Sequence, residues 1–186
     1  HRADVRTPCR CDACTLSALR SSYESSSRTR RESTSLLVEI GDDCWMLSPA
    51  HVINHSGGIA RGTFLKRFGL TRFHVARAVR DGTVVRVRRG VFATERTAPE
   101  LVAAAAHGGA LTCTAALRMH GIWVLDDDPD LHVWLGENGR VHHTGCDCVS
   151  HWFEGATVLG LAPLEDALVH VYACRGAEAF FVALES

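Results

Sequence analysis

The chain has 186 residues, of which 46% are hydrophobic and 22% charged, a composition typical of a soluble globular protein with one domain or two small ones. There is no apolar run of about 18 residues and no secretory segment, so we expect a cytoplasmic protein without a membrane span. The net charge of −1 is unevenly distributed. Residues 51–96 hold ten Lys or Arg against two acidic residues, whereas residues 97–186 hold three Arg against twelve acidic residues. The middle of the chain is therefore expected to attract a polyanion.

The N-terminal segment, residues 1–50, is rich in Ser, Arg and Cys. Apolar runs at 35–40 and 44–47 flank a Gly-Asp-Asp turn and predict a β-hairpin, which Ser48-Pro49 is expected to end. Cys9, Cys11 and Cys14 place three thiols within six residues, a spacing that can bind zinc if Cys44 or a histidine supplies a fourth ligand. The alternative is reduced thiols without a metal, and no other cofactor is expected.

The basic middle, residues 51–96, shows the order of a small winged helix-turn-helix. A helical apolar pattern covers 59–68, and Gly69 is expected to end that helix. Thr71 is a suitable N-cap for a second helix. Two β-branched runs, 83–88 and 91–93, then predict a hairpin that forms the wing.

The second helix of this unit has the properties of a recognition helix. Phe73, Arg77 and Arg80 follow an i, i+4, i+7 spacing and share one face. Arginine is the residue that most often reads guanine in the major groove, and the remaining cations are expected to bind phosphates. The alternative, a merely solvated charged face, would carry both signs of charge. The predicted DNA-binding residues are Arg61, Lys66, Arg67, Thr71, Arg72, Phe73, His74, Arg77, Arg80, Arg86, Arg88 and Arg89.

The acidic remainder, residues 97–186, is predicted to be a mixed α/β domain, so that the whole chain is α+β. The acidic run 126–130 is expected to be a solvated turn, His142, His143 and His151 to be polar strand residues rather than ligands, and Cys146-Asp147-Cys148 to be only half of a zinc motif. The predicted helices cover 100–106, 111–120, 162–173 and a last segment from 177, and the predicted strands cover 131–135, 140–143 and 149–153.

The segment 82–92, together with 111–121 and 131–134, resembles the AbiEi-type antitoxins of bacterial type IV toxin–antitoxin systems, and this resemblance extends over residues 57–186. It implies a repressor that binds double-stranded DNA at its own operon. It also implies an antitoxin that opposes a nucleotidyltransferase toxin without forming a stable complex with it. Many such proteins continue into a repair-nuclease-like domain, before which this chain is expected to stop. The resemblance therefore implies no enzymatic activity.

Two other functions compete with this interpretation. Residues 9–47 resemble the start of metallo-β-lactamase-fold hydrolases, but the His-x-His-x-Asp-His metal motif of that family is missing, so the alternative is a fragment of a metal-dependent hydrolase or nuclease. The other is a protein-interaction module, in which the acidic part docks on a partner or on the basic middle.

Overall fold

The computed structural model describes residues 48–125, 128–142, 145–155 and 158–186, and these form the predicted α+β fold. The predicted N-terminal hairpin and the candidate zinc ligands Cys9, Cys11 and Cys14 lie outside the described residues. The helices are α1 (Pro49–His55), α2 (Gly62–Arg67), α3 (Arg72–Arg80), α4 (Pro99–His107), α5 (Cys113–Met119), α6 (Leu164–Arg175) and α7 (Ala177–Leu184). The strands are β1 (Ile59–Arg61), β2 (Val85–Arg88), β3 (Val91–Ala93), β4 (Ala110–Leu111), β5 (Leu131–Trp134), β6 (Cys148–His151) and β7 (Gly160–Leu161).

The basic unit begins with a helix that the sequence interpretation missed. Ser48 caps α1 by accepting a hydrogen bond from His51 N at 3.1 Å, and Pro49 occupies the first turn. Proline fits there because the first turn needs no N–H donor and favours its fixed φ. The sequence interpretation gave Ser48-Pro49 only the role of ending a hairpin, and it missed that the same two residues start a helix.

The predicted helix over 59–68 is also wrong in its first part. Ile59 and Ala60 belong to β1, which pairs antiparallel with β3 through Ile59↔Ala93 and Ala60↔Phe92. Pairing with a strand about 30 residues away overrides the weak helical pattern of this short segment. Only the second part is helical, as α2.

The three-stranded sheet β1-β3-β2 has an apolar cluster on each face. On one face α1, α2 and α3 cover the sheet, and Ile53 and Leu65 are fully buried there. On the other face Ile59 and Val91 pack with Leu101 of α4 and Val133 of β5. The second cluster thus joins the basic unit to the residues that follow it.

A second sheet, in the order β6-β5-β4-β7, forms the centre of the acidic part. β5 runs antiparallel to β4 and parallel to β6, while β7 runs parallel to β4. Helices α5, α6 and α7 share a cluster with the buried residues Leu117, Ala167 and Val171. Paired residues on neighbouring strands face the same side of the sheet, and successive residues of one strand face opposite sides. The pairing of His132 with Val149 therefore places His132 and His151 on one face and Cys148 on the other.

Three predictions for the acidic part need correction. Residues 140–142 form no strand, and β6 rather than this segment pairs with β5. The helix predicted from 111 starts at Cys113, because Leu111 pairs with Val133 as part of β4. Asp128, expected in a solvated turn, is 6% exposed, because it contacts His132 and Arg175.

Among the described residues, no helix has both the length and the apolar character needed to cross a bilayer.

Candidate nucleic-acid interface

Helix α3 begins with a reciprocal capping arrangement. Thr71 Oγ1 accepts a hydrogen bond from His74 N at 3.4 Å, and Thr71 N donates to His74 Nδ1 at 3.3 Å. The predicted role of Thr71 as N-cap is confirmed. His74, which the sequence placed among the DNA contacts, is half-buried and uses its Nδ1 inside the protein to fix the start of the helix.

We expect Thr71→Ala to lower the free energy of unfolding by about 1 kcal/mol, because an N-terminal N–H loses its partner. Urea unfolding of the full chain measures this loss. Thr63→Ala is the matched control, since Thr63 is exposed in the first turn of α2, where no side chain caps the helix. Equal losses in the two variants would contradict a capping role for Thr71.

The outer face of α3 carries the side chains predicted for base contacts. Phe73 is 70% exposed and the Arg77 side chain 72% exposed, and Arg80 is exposed as well. Val75 and Ala78 on the inner face are buried against the cluster beneath the helix. The outer face of α3 thus combines a large exposed aromatic ring with two exposed arginines, while its inner face is packed.

The cations of β1 and α2 extend this exposed basic surface. Arg61, Lys66 and Arg67 are all exposed. Arg96, which follows the β2–β3 hairpin, is exposed too, although the sequence interpretation did not single it out. Arg61 and Arg67 also line a groove whose other wall includes Val158 of the acidic part. The sequence gives no signal for that groove, because its walls are far apart along the chain.

Two arginines of the β2–β3 hairpin are exposed, and a third is half-buried. Arg86 is exposed with its guanidinium 5.8 Å from the centre of the Phe92 ring, and Arg89 is exposed in the turn. Arg88, which the sequence placed among the DNA contacts, is half-buried and turned towards α4. A register shift between Arg86 and Arg88 breaks the alternation of the strand, and Arg88 Nε donates a 2.7 Å hydrogen bond to Ala105 O.

Burial, followed by the positive charge of Arg61, lowers the pKa of Arg88. The side chain stays charged at neutral pH, because the pKa of arginine is far above 7. Its hydrogen bond satisfies a carbonyl in the last turn of α4, where helix carbonyls lack intrahelical partners. Arg88 therefore fastens the hairpin to α4.

The two acidic residues of 51–96 do little to neutralise this surface. Asp81 Oδ2 lies 3.6 Å from Arg77 Nε in an exposed i, i+4 pair, and Glu95 is exposed beyond β3. An exposed ion pair of this kind is weak and opens easily for another anion. The predicted contact residues that the structure leaves exposed are Arg61, Lys66, Arg67, Thr71, Arg72, Phe73, Arg77, Arg80, Arg86 and Arg89.

Comparison with known proteins gives one result for this unit. No curated protein matches the chain. Residues 51–94, which run from α1 to the end of the β2–β3 hairpin, match the model of a protein family described as "Transcriptional regulator, AbiEi antitoxin".

Proposed function

We propose that the protein is a DNA-binding transcriptional regulator of the antitoxin type, in which α1 to β3 form a winged helix-turn-helix. The observation that carries this proposal is the outer face of α3, where Phe73, Arg77 and Arg80 are exposed to solvent while the opposite face is packed. The family match over the same unit supports it.

In this proposal α3 is the recognition helix and enters the major groove. Arg77 and Arg80 would each donate two hydrogen bonds to guanine O6 and N7. Phe73 would contact the methyl group of thymine, which is the apolar feature of that groove. The sequence preference of the protein then depends on these three side chains.

The remaining cations would contact phosphates and give affinity without sequence information. Arg61, Lys66 and Arg67 would contact one backbone, and Arg86 and Arg89 of the wing another. The excess of acidic over basic residues in 97–186 repels DNA, so binding is restricted to the basic unit.

We further propose that the protein represses its own operon in the bacterial cytoplasm and opposes a nucleotidyltransferase toxin without a stable complex. The support for this part is the family match, which covers only residues 51–94. In this proposal the protein binds DNA and catalyses no chemical step. A neighbouring gene that encodes a nucleotidyltransferase would favour the antitoxin role independently of the DNA measurements.

The test is the salt dependence of binding between the full chain and duplex DNA from its own promoter, measured by fluorescence anisotropy. If about six cations contact phosphates, the affinity should fall about 10³-fold between about 50 and about 200 mM salt. Unrelated duplex DNA should bind more weakly with a similar steep dependence. An affinity for promoter DNA that does not change with salt, or no binding at low salt, would overturn the proposal.

A further inference from the structure

Four side chains with metal-binding atoms meet beneath the second sheet. Cys113 starts α5, His132 lies in β5, His151 ends β6 and Cys174 lies in the last turn of α6. Their ligand atoms all lie within 4.8 Å of one another. Cys113 and His132 are buried, whereas Cys174 is exposed, so an ion can reach the cluster from the side of α6.

The distances within this cluster suit a tetrahedral ion. Zinc bonds of about 2.3 Å to sulfur and about 2.0–2.1 Å to nitrogen place the ligand atoms about 3.3–3.8 Å apart. Cys113 Sγ lies 3.6 Å from His151 Nε2, and Cys174 Sγ lies 3.6 Å from His132 Nδ1. The two histidine nitrogens are 2.8 Å apart, so those rings must separate by roughly 0.5 Å to hold an ion.

The buried carboxylate of Asp128 contacts His132 through the ring nitrogen that does not face the cluster. Asp128 Oδ2 lies 3.0 Å from His132 Nε2, and both side chains are only 4% exposed. The carboxylate beside Nε2 favours a proton on that nitrogen, which leaves the lone pair of Nδ1 directed into the cluster. Carboxylates hold metal-binding histidines in this way, fixing both the tautomer and the ring orientation. Arg175 Nη2 lies 3.4 Å from the same oxygen.

We propose that Cys113, His132, His151 and Cys174 form a structural zinc site. Two thiolates and two imidazoles are the donor set that zinc takes in closed, four-coordinate sites, and they disfavour magnesium and calcium, which prefer oxygen. Four protein ligands leave no position for a water molecule, so the site joins α5, β5, β6 and α6 and does not activate a nucleophile.

A second group on the opposite face of β6 provides a comparison. His107 Nδ1 lies 3.0 Å from Cys146 Sγ, and Cys148 is close to both. His107 Nε2 contacts Ser150 Oγ at 2.7 Å. Cys146 belongs to this group alone and therefore serves as the control thiol.

The experiment measures zinc bound to the full chain by native mass spectrometry, for the wild type, Cys174→Ser and Cys146→Ser. Cys174→Ser should bind one zinc fewer than the wild type, and Cys146→Ser should keep that zinc. Counting differences between variants separates this site from any zinc held elsewhere in the chain. Cobalt loading should give tetrahedral thiolate-to-cobalt absorption that weakens in Cys174→Ser. Equal zinc content in the wild type and Cys174→Ser, or a Cys113–Cys174 disulfide in the isolated protein, would overturn the proposal.

Asp128→Asn tests the same site without removing a ligand. We expect this variant to take up the same number of zinc ions at saturation but to release the ion of this site to a chelator about 10- to 100-fold more readily. Zinc affinity at this site that is unchanged in Asp128→Asn would contradict the role given to the carboxylate.

Discussion

Replacing Arg77 and Arg80 together by alanine is expected to remove most of the preference of the protein for its own promoter over unrelated DNA. A guanine contact with two hydrogen bonds contributes about 1–3 kcal/mol of discrimination, so losing two such contacts should lower the specific affinity at least about 30-fold. Binding to unrelated DNA should fall much less, because exposed cations of β1, α2 and the wing remain. Competition between promoter and unrelated duplexes measures both effects.

Two controls distinguish base reading from simple charge. Arg77→Lys with Arg80→Lys keeps both charges but loses the forked hydrogen-bonding geometry, so the promoter preference should fall while non-specific binding remains. Arg140→Ala removes an exposed arginine from the acidic part and should leave both affinities unchanged. Retained promoter preference in the lysine variant, or an equal loss in Arg140→Ala, would show that α3 is not the recognition helix.

Gly109→Ala is expected to be the most destabilising single substitution that we predict. A Cβ atom at this position would lie 2.0 Å from Trp134 O, a backbone atom of β5 to which β4 is paired. Since backbone on both sides would have to move, the loss should reach or exceed the upper end of the about 1–3 kcal/mol typical of overpacking. Displacing β5 also moves His132, so this variant should bind zinc less tightly.

Gly121→Ala is the matched control for steric overlap. Gly121 has φ of +79° and no atom within 4 Å of an added Cβ, so its substitution costs only the left-handed backbone, roughly 1–2 kcal/mol. Urea unfolding of the two full-length variants compares the losses. A loss for Gly109→Ala no larger than that for Gly121→Ala would contradict the close approach of β4 and β5.

The sequence predicted the elements whose signals are local. Thr71 identified the start of α3, and the β-branched runs 83–88 and 91–93 identified the β2–β3 hairpin. The sequence interpretation missed α1, because Ser48-Pro49 can either end one element or begin the next. The helix is stabilised by the burial of Val52 and Ile53, which is a property of the folded chain. The interpretation failed again at Ile59, whose strand exists only because β3 pairs with it.

The cluster of cysteines and histidines had no comparable signal. Cys113, His132, His151 and Cys174 are spread along the acidic part without a paired Cys-x-x-Cys spacing, and each is an ordinary residue in its own element. Asp128 belongs to an acidic run, which is most often solvated, so its burial beside His132 is a property of the folded chain alone. The alternating register of β5 and β6 brings these groups together.

The hydrogen bond from Arg88 to Ala105 has a consequence for the thermodynamics of binding. A loose wing would lose conformational freedom whenever Arg86 and Arg89 contacted a phosphate, and that loss would be subtracted from the affinity. Here the half-buried guanidinium of Arg88 already fastens the hairpin to α4. The conformational entropy of the hairpin is therefore lost during folding rather than on binding, so in the proposed function Arg88 preorganises Arg86 and Arg89 for phosphate contacts.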